Sequence, residues 1–286
     1  MSDSPTSPVR YFAPDADLAE LISTFYIADI RVPHFDEVER ADRPQFRLRM
    51  NDSPGEYHFA DGRVCEAWGA TIIGPTSGPV RAICRGPVLM VGMGLMPGGW
   101  ATLMGPEADK YTDRALPAHE LFGDWIYEVA KTIAAADCDT ARLAMLQELA
   151  REIMRRGEPA PLWFTRTVDS WLMANLSPHV DDLVAATGMS ARSVERMTKR
   201  FYGVSPKMLA RKYRALRAAS AMARGDKLDA GAVAEAFYDQ SHLIREVKQF
   251  AGATPGQLAE PSAYTRATTE GRNRLRGKVS PLITDT

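Results

Sequence analysis

The chain has 286 residues, 45% hydrophobic and 25% charged, with a formal net charge of −1. That length predicts two domains, and that composition excludes a disordered chain, a collagen-like chain and a membrane bundle. The near-neutral total hides a division. Residues 1–157 carry 16 Lys+Arg against 23 Asp+Glu, a net of −7, and residues 158–286 carry 19 against 13, a net of +6. Such asymmetry between halves points to a nucleic-acid or membrane partner.

The start, Met1-Ser2-Asp3-Ser4-Pro5, has no basic or apolar region, so it does not read as a secretory signal. No run of ~18 uncharged apolar residues predicts a membrane span. Cys65, Cys84 and Cys138 are too few and too far apart for a disulfide framework or a metal pair. They read as small buried hydrophobes, with a redox-sensing thiol as the alternative, and a reducing cytoplasm as the setting. Residues 1–10 are Ser/Pro-rich and are expected to be loose. Leu18, Leu21, Ile22 and Phe25 fall at helical spacing and predict a helix over Asp15 to Tyr26.

Residues 45–105 alternate short apolar runs with turn signals. The runs are Phe46-Leu48-Met50, Tyr57-Phe59, Ala70 to Ile73 and Val88 to Val91; Ser53-Pro54-Gly55, Asp61-Gly62, Gly74-Pro75 and Arg85-Gly86-Pro87 separate them. This predicts an antiparallel β barrel or sandwich. Two amphipathic stretches, about 120–136 and 140–156, predict a helical hairpin behind it. Gly157 to Pro161 reads as a linker, placing a first domain over 1–157 and the boundary at 158–161. From Leu162 to Leu258 the pattern is helical, with Trp163, Phe164, Trp171 and Leu172 as a core stripe. Residues 261–286 are polar and basic and predict a disordered tail.

The basic half contains a repeat. Phe201-Tyr202-Gly203-Val204-Ser205-Pro206 returns as Phe250-Ala251-Gly252-Ala253-Thr254-Pro255, 49 residues later. In each copy glycine supplies a helix stop, Ser or Thr caps the next helix, and proline begins it. Upstream of each copy lie a short helix, a tight break and a second helix: Val180 to Thr187 then Ala191 to Tyr202, and Ala230 to Ala236 then Asp239 to Phe250. Ser190 and Asp239 are the expected N-caps. This is helix-turn-helix spacing, in which the second helix enters the DNA major groove. The connector, about Ser205 to Arg224, spans ~30 Å, close to the ~34 Å between successive grooves. Nine Lys and Arg lie between Arg192 and Arg217, opposed in sequence by Glu195 alone. That density suits phosphate neutralisation.

These residues resemble the DNA-binding domain of AraC/XylS-type transcriptional regulators over about 162–260. The resemblance rests on Gly188-Met189-Ser190, Val194-Glu195-Arg196, the two repeat copies, and Tyr238-Asp239-Gln240-Ser241-His242-Leu243-Ile244-Arg245. Ala236 stands where the family has glycine, and Gly231 where an aliphatic residue is usual. The resemblance implies groove-facing side chains at Arg192, Glu195 and Arg196, and at Gln240, Ser241, His242 and Arg245. Arginine pairs with guanine, glutamine with adenine, and glutamate accepts from cytosine. Lys199, Arg200 and Lys248 are also expected at the DNA, where serine, lysine and helix N-termini more often hold phosphates. His242 is equally readable as an internal structural histidine.

In the first half, Val91 to Trp100 resembles the cupin-like sensory domains of such regulators, with Pro97-Gly98-Gly99 as a tight turn. The fold class expected is therefore α+β: an N-terminal β barrel or sandwich with a helical hairpin, and a C-terminal all-α domain. No paired histidines with a following carboxylate point to a metal, and no catalytic constellation, P-loop or dinucleotide fingerprint points to an enzyme or cofactor. Tyr57, Phe59, Trp68 and Trp100 could line a pocket for a small-molecule effector or simply fill a barrel core. The hairpin 120–156 is the candidate homodimer surface. Three readings remain open: an effector-controlled regulator of promoter DNA, contacting RNA polymerase if it activates; a DNA-binding protein whose first half only dimerises; and a cupin-type enzyme with an accessory DNA-binding domain.

Overall fold

The computed structural model of the chain describes residues 7–51, 53–105, 107–226 and 230–286. The first half contains β1 (Val9–Phe12), β2 (Ile22–Ile30), β3 (His34–Glu39), β4 (Gln45–Arg49), β5 (Gly55–Phe59), β6 (Val64–Glu66), β7 (Ala70–Ile73), β8 (Val80–Arg85), β9 (Val88–Leu95) and β10 (Ala115–Pro117). They form two antiparallel sheets, ordered β1-β2-β9-β4-β7-β10 and β3-β8-β5-β6. A helical layer follows: α1 (Pro97–Gly99), which runs into a π-helical turn Trp100–Met104, then α2 (His119–Phe122), α3 (Trp125–Ala134) and α4 (Asp139–Arg156).

The six-stranded sheet is the middle layer. Phe25, Ile27, Phe46, Leu48, Ile72 and Met93 pack on one side against Ile126, Leu146 and Ile153 of the helices. On its other side Tyr26, Ala28 and Met90 face Phe35, Tyr57 and Ala82 of the smaller sheet. A strand buried on both sides reads as a continuous apolar run. That is why Ile22–Ile30 is β2 and the helix expected over Asp15 to Tyr26 is replaced by turns and a strand. Val9 and Arg10, expected in a loose start, belong to β1; residues 1–6 lie outside the described residues. Pro97-Gly98-Gly99 is the first turn of a helix rather than a tight turn, with Pro97 in the first turn where its missing N–H costs nothing. The hairpin forms, but its apolar stripe is covered by the chain's own sheet, so the stripe is not free for a twin; Glu128, Lys131, Ala144 and Glu148 stand on its exposed face. Of the cysteines, Cys84 is buried but Cys138 is exposed.

The second half contains α5 (Leu162–Ala174), α6 (Val180–Thr187), α7 (Ala191–Tyr202), α8 (Pro206–Arg224), α9 (Ala230–Ala236), α10 (Gln240–Ala251), α11 (Pro255–Ala259), α12 (Ala263–Asn273) and α13 (Pro281–Thr284). It has two cores. Phe164, Leu172, Leu183, Val194, Phe201, Leu209 and Tyr213 make the first; Ala215, Leu216, Phe237, Val247, Phe250 and Leu258 make the second. Helix α8 contributes to both. Trp163 departs from the expected stripe and is 49% exposed. Ala236 is buried in the second core and ends α9 without a left-handed backbone.

The tail expected to be disordered is helical. Tyr264 of α12 packs edge-on against Phe35 of β3, 5.1 Å between ring centroids. Leu282 of α13 is fully buried in the first core, and Arg43 donates to its carbonyl at 2.7 Å. Polar composition predicts disorder only where no neighbour offers a surface; here both domains offer one. The linker is also held, since the Ala160 N–H donates to Thr102 Oγ1 at 3.2 Å.

Candidate nucleic-acid interface and cavity

Helix α7 starts where Gly188 leaves α6 at φ 64° and Ser190 Oγ accepts the Ser193 N–H. Val194, Thr198, Phe201 and Tyr202 turn inward. Arg192, Glu195, Arg196, Lys199 and Arg200 occupy the opposite face and are all exposed. Lys199 Nζ lies 2.8 Å from Glu195 Oε1; that hydrogen bond lowers the glutamate's pKa and raises the lysine's.

Helix α10 repeats the design. The Asp239 carboxylate accepts the His242 N–H at 2.6 Å. Leu243, Glu246, Val247 and Phe250 are buried, and Gln240, Ser241, Arg245 and Lys248 are exposed. His242 differs from its expected neighbours. Its Nδ1 accepts the Tyr238 N–H at 3.2 Å, its ring meets Phe237 edge-on, and its Nε2 lies 3.5 Å from Glu246. The structure therefore places every other expected DNA-facing residue on an open helix face and turns His242 back into the fold.

The basic stretch behind α7 is less available than its sequence suggests. Arg211 and Arg214 donate to the Glu246 carboxylate at 2.7 and 2.6 Å. Burial raises the Glu246 pKa, but the hydrogen bonds from Arg214 and Arg211 outweigh it and the net shift is downward. Lys212, 5% exposed, donates to the carbonyls of Asp42 and Thr76 at 2.7 Å each. Arg217 donates to the carbonyls of Leu172 and Asn175. Arg211, Arg214 and Arg217 hold the domain together and Lys212 ties it to the first half, instead of standing free for phosphates. Glu246 was missed because its partners lie 32 and 35 residues away. Lys212 carried a signal: it falls three residues after Leu209 and four before Leu216, on the apolar stripe of α8.

A cavity of about 430 Å³ opens between the two sheets and is closed by α8, α11 and α12. Of the expected pocket residues Tyr57 lines it. Trp100 is buried in the layer between sheet and helices, Phe59 is buried between the sheets, and Trp68 packs at their edge; none of the three is on the cavity wall. The wall instead carries Tyr11, Tyr26, Phe35 and Tyr264, with Arg40, Arg47, Glu39, Asp42 and Arg272. Arg47 pairs with Glu39 at 2.6 Å and reaches the hydroxyls of Tyr26 and Tyr57. Arg272 pairs with Asp42. Arg40 donates to Ser220 Oγ at 3.0 Å and, among the described residues, has no carboxylate at ion-pair distance. Burial, then the charge of Arg272, lowers its pKa to about 9. Arg47 escaped the sequence reading because β4 alternates apolar and charged residues, the mark of a half-exposed strand, whereas both its faces are covered. Among the described residues no cluster of His, Cys, Asp or Glu could hold a metal ion, and no helix is long and apolar enough to cross a membrane.

No curated protein matches the chain. Among solved structures, ToxT from Vibrio cholerae O395 is similar with a TM-score of 0.44 at 8% identity, covering 80% of this chain and 97% of that one. Unsaturated fatty acid bound wild-type ToxT from Vibrio cholerae strain SCE256 gives 0.45 at 8% identity, covering 91% and 97%. The AraC-like transcriptional activator CuxR gives 0.34 at 14% identity, covering 74% and 87%. Residues 183–260 match the family described as a helix-turn-helix domain. The matched stretch takes in both α6–α7 and α9–α10, so the C-terminal region carries a helix-turn-helix domain.

Proposed function

We propose that the protein is a sequence-specific transcriptional regulator that presents α7 and α10 to adjacent major grooves. The observation that carries this is the division of both helices. Each buries a stripe at three-to-four spacing and leaves polar and charged side chains on one open face: Arg192, Glu195, Arg196, Lys199 and Arg200 on α7, and Gln240, Ser241, Arg245 and Lys248 on α10. Helix α8, of 19 residues, spans roughly 28 Å between the units, near the ~34 Å groove repeat. Mapping of genomic fragments bound by the full chain should return a shared sequence motif, with affinity falling steeply with salt. Recovery of no enriched sequence would defeat the reading.

The cavity is the proposed effector site. Its aromatic walls suit an apolar or ring-bearing body, and the half-buried Arg40 on that wall makes no ion pair, only a hydrogen bond to Ser220, among the described residues. A small molecule with an acidic group fits both. In a thermal-shift screen of metabolites, acids that raise the melting temperature should lose that effect in Arg40→Met. Equal shifts in both proteins would remove Arg40 from the site. No dimer surface is proposed on the covered stripe of the hairpin.

A further inference from the structure

The segment Gly74–Pro79, between β7 and β8, touches both helix-turn-helix units and the helix that joins them. Gly203 ends α7 with φ +79°, and a Cβ built on it would lie 2.6 Å from the Pro75 ring and 2.3 Å from Thr112 Oγ1. Gly252 ends α10 with φ +74°, and its built Cβ would lie 2.8 Å from Pro79 Cβ. These are the matched glycines of the repeat, and each meets a proline of the same six residues. Between them Lys212 of α8 donates to the Thr76 carbonyl. Two hydrogen bonds to the helix-end carbonyls tighten the joint: Thr112 Oγ1 donates to the Gly203 carbonyl at 2.9 Å, and the Ala41 N–H donates to the Phe250 carbonyl at 2.7 Å.

The segment is itself rigidly held. Asp113, a non-glycine at φ 54°, accepts the Ser77 N–H at 2.8 Å and the Ser77 hydroxyl, while its own N–H donates to the Pro75 carbonyl. Thr76 Oγ1 accepts the Asp42 N–H at 2.7 Å. The two units, by contrast, have separate hydrophobic cores, and among α6 to α11 the connector α8 alone contributes to both. A single helix is a tether that bends and twists. A second tie at the far end of each recognition helix removes that freedom.

We infer that Gly74–Pro79 is a positioning element that fixes the separation and relative angle of α7 and α10, so that the N-terminal domain sets the half-site spacing the protein accepts. The inference rests on the DNA-binding reading above. One base pair of spacing changes both the distance and the rotation between half-sites, so a fixed pair of helices must discriminate spacers sharply.

The test uses the full chain and duplexes carrying the two mapped half-sites with spacers lengthened or shortened by one or two base pairs. The unaltered protein should show one optimum, weakening about tenfold for each base pair of error. Thr112→Val with Pro79→Ala loosens one tie at each unit with little lost volume; Lys212→Met removes the middle tie. Each should flatten the profile to within about threefold while leaving a single half-site bound as before. Circular dichroism and melting of each variant establish that it folds, and the milder Thr112→Val/Pro79→Ala pair serves if Lys212→Met does not. An unchanged sharp optimum in folded variants overturns the inference and leaves the DNA-binding reading intact. Tighter binding with an unchanged profile also overturns it, since the segment would then be an inhibitory clamp. Absence of specific binding by the unaltered protein removes both.

Discussion

Arg196 and Arg245 stand 49 residues apart, at the same place in the two units, and both are exposed beside a buried hydrophobic turn. If each reads a base, replacing either by Ala should cost about 1–3 kcal/mol and relax preference at one position of its own half-site. Lys248→Ala should instead weaken all sequences alike and shallow the salt dependence. Competition binding against a library of altered half-sites separates the two outcomes. These faces were readable from the sequence because caps, glycine stops and three-to-four spacing are local. Asp169 was not readable, since its state depends on contacts from other helices. Tyr202 Oη lies 3.0 Å from its Oδ1, and burial raises its pKa to about 6 despite the charge of Arg43 and that hydrogen bond. The folded form therefore holds a proton more tightly than the unfolded chain. Its stabilising contribution is full below about pH 4 and is lost as pH rises through about 6. Asp169→Asn should gain stability relative to the parent as pH goes from 4 to 7, by on the order of 1–3 kcal/mol. Parallel denaturant curves at several pH values check this; a difference that does not change with pH removes Asp169 as its source.

Between elements, the joint of α8 and α10 turns on one carboxylate. Glu246 is 2% exposed at its side chain and receives Arg214, 13% exposed, and Arg211, 33% exposed. Removing the carboxylate leaves two guanidinium groups facing each other with no counter-charge between them, Arg211 keeping its bond to Gln249 Oε1 and Arg214 its bond to Ser177 Oγ. Glu246→Ala should therefore destabilise the second unit by roughly 3 kcal/mol, less than a wholly buried pair because Arg211 keeps some water. A triple replacement of Glu246, Arg211 and Arg214 by Met should recover much of that loss, which a purely packing role for Glu246 would not allow. The strand assignments show the same limit on local reading from the other side. β4, β5, β7 and β9 announced themselves by short apolar runs between turn residues. β2 did not, because a strand covered on both faces loses its alternation and keeps whatever helical spacing chance supplies. The exposed β3 and the short β6 were missed for the opposite reason, having little apolar content to betray them.

At the scale of the whole molecule, the charge division acquires a location. Carboxylates of the acidic half receive the C-terminal tail. Tyr264 Oη donates to Glu39 at 2.9 Å, Ser262 to Glu37 at 2.9 Å, and Arg272 pairs with Asp42. Asp42 in turn accepts Lys212 through its carbonyl. One residue thus ties the cavity wall to the connector helix. The tail ends by placing Leu282 and Ile283 at 0% and 5% exposure, with Leu282 inside the first core. Fully burying such a side chain contributes about 2–3 kcal/mol, so ending the chain after Glu260 should cost on the order of 5 kcal/mol. The truncated protein should also take up an apolar fluorescent dye, since Tyr264 and α12 no longer cover Phe35 and the cavity. Leu282→Ala alone should cost about 2–4 kcal/mol without opening the cavity. The pair of variants therefore separates the plug from the lid. A disordered tail predicts the reverse for both: melting, dye uptake and DNA binding unchanged on removal. Composition favoured that reading because a basic, aromatic-poor segment cannot bury enough surface on its own. It becomes ordered by borrowing two surfaces, one around Phe35 and one around Phe164, that lie more than a hundred residues apart in the sequence.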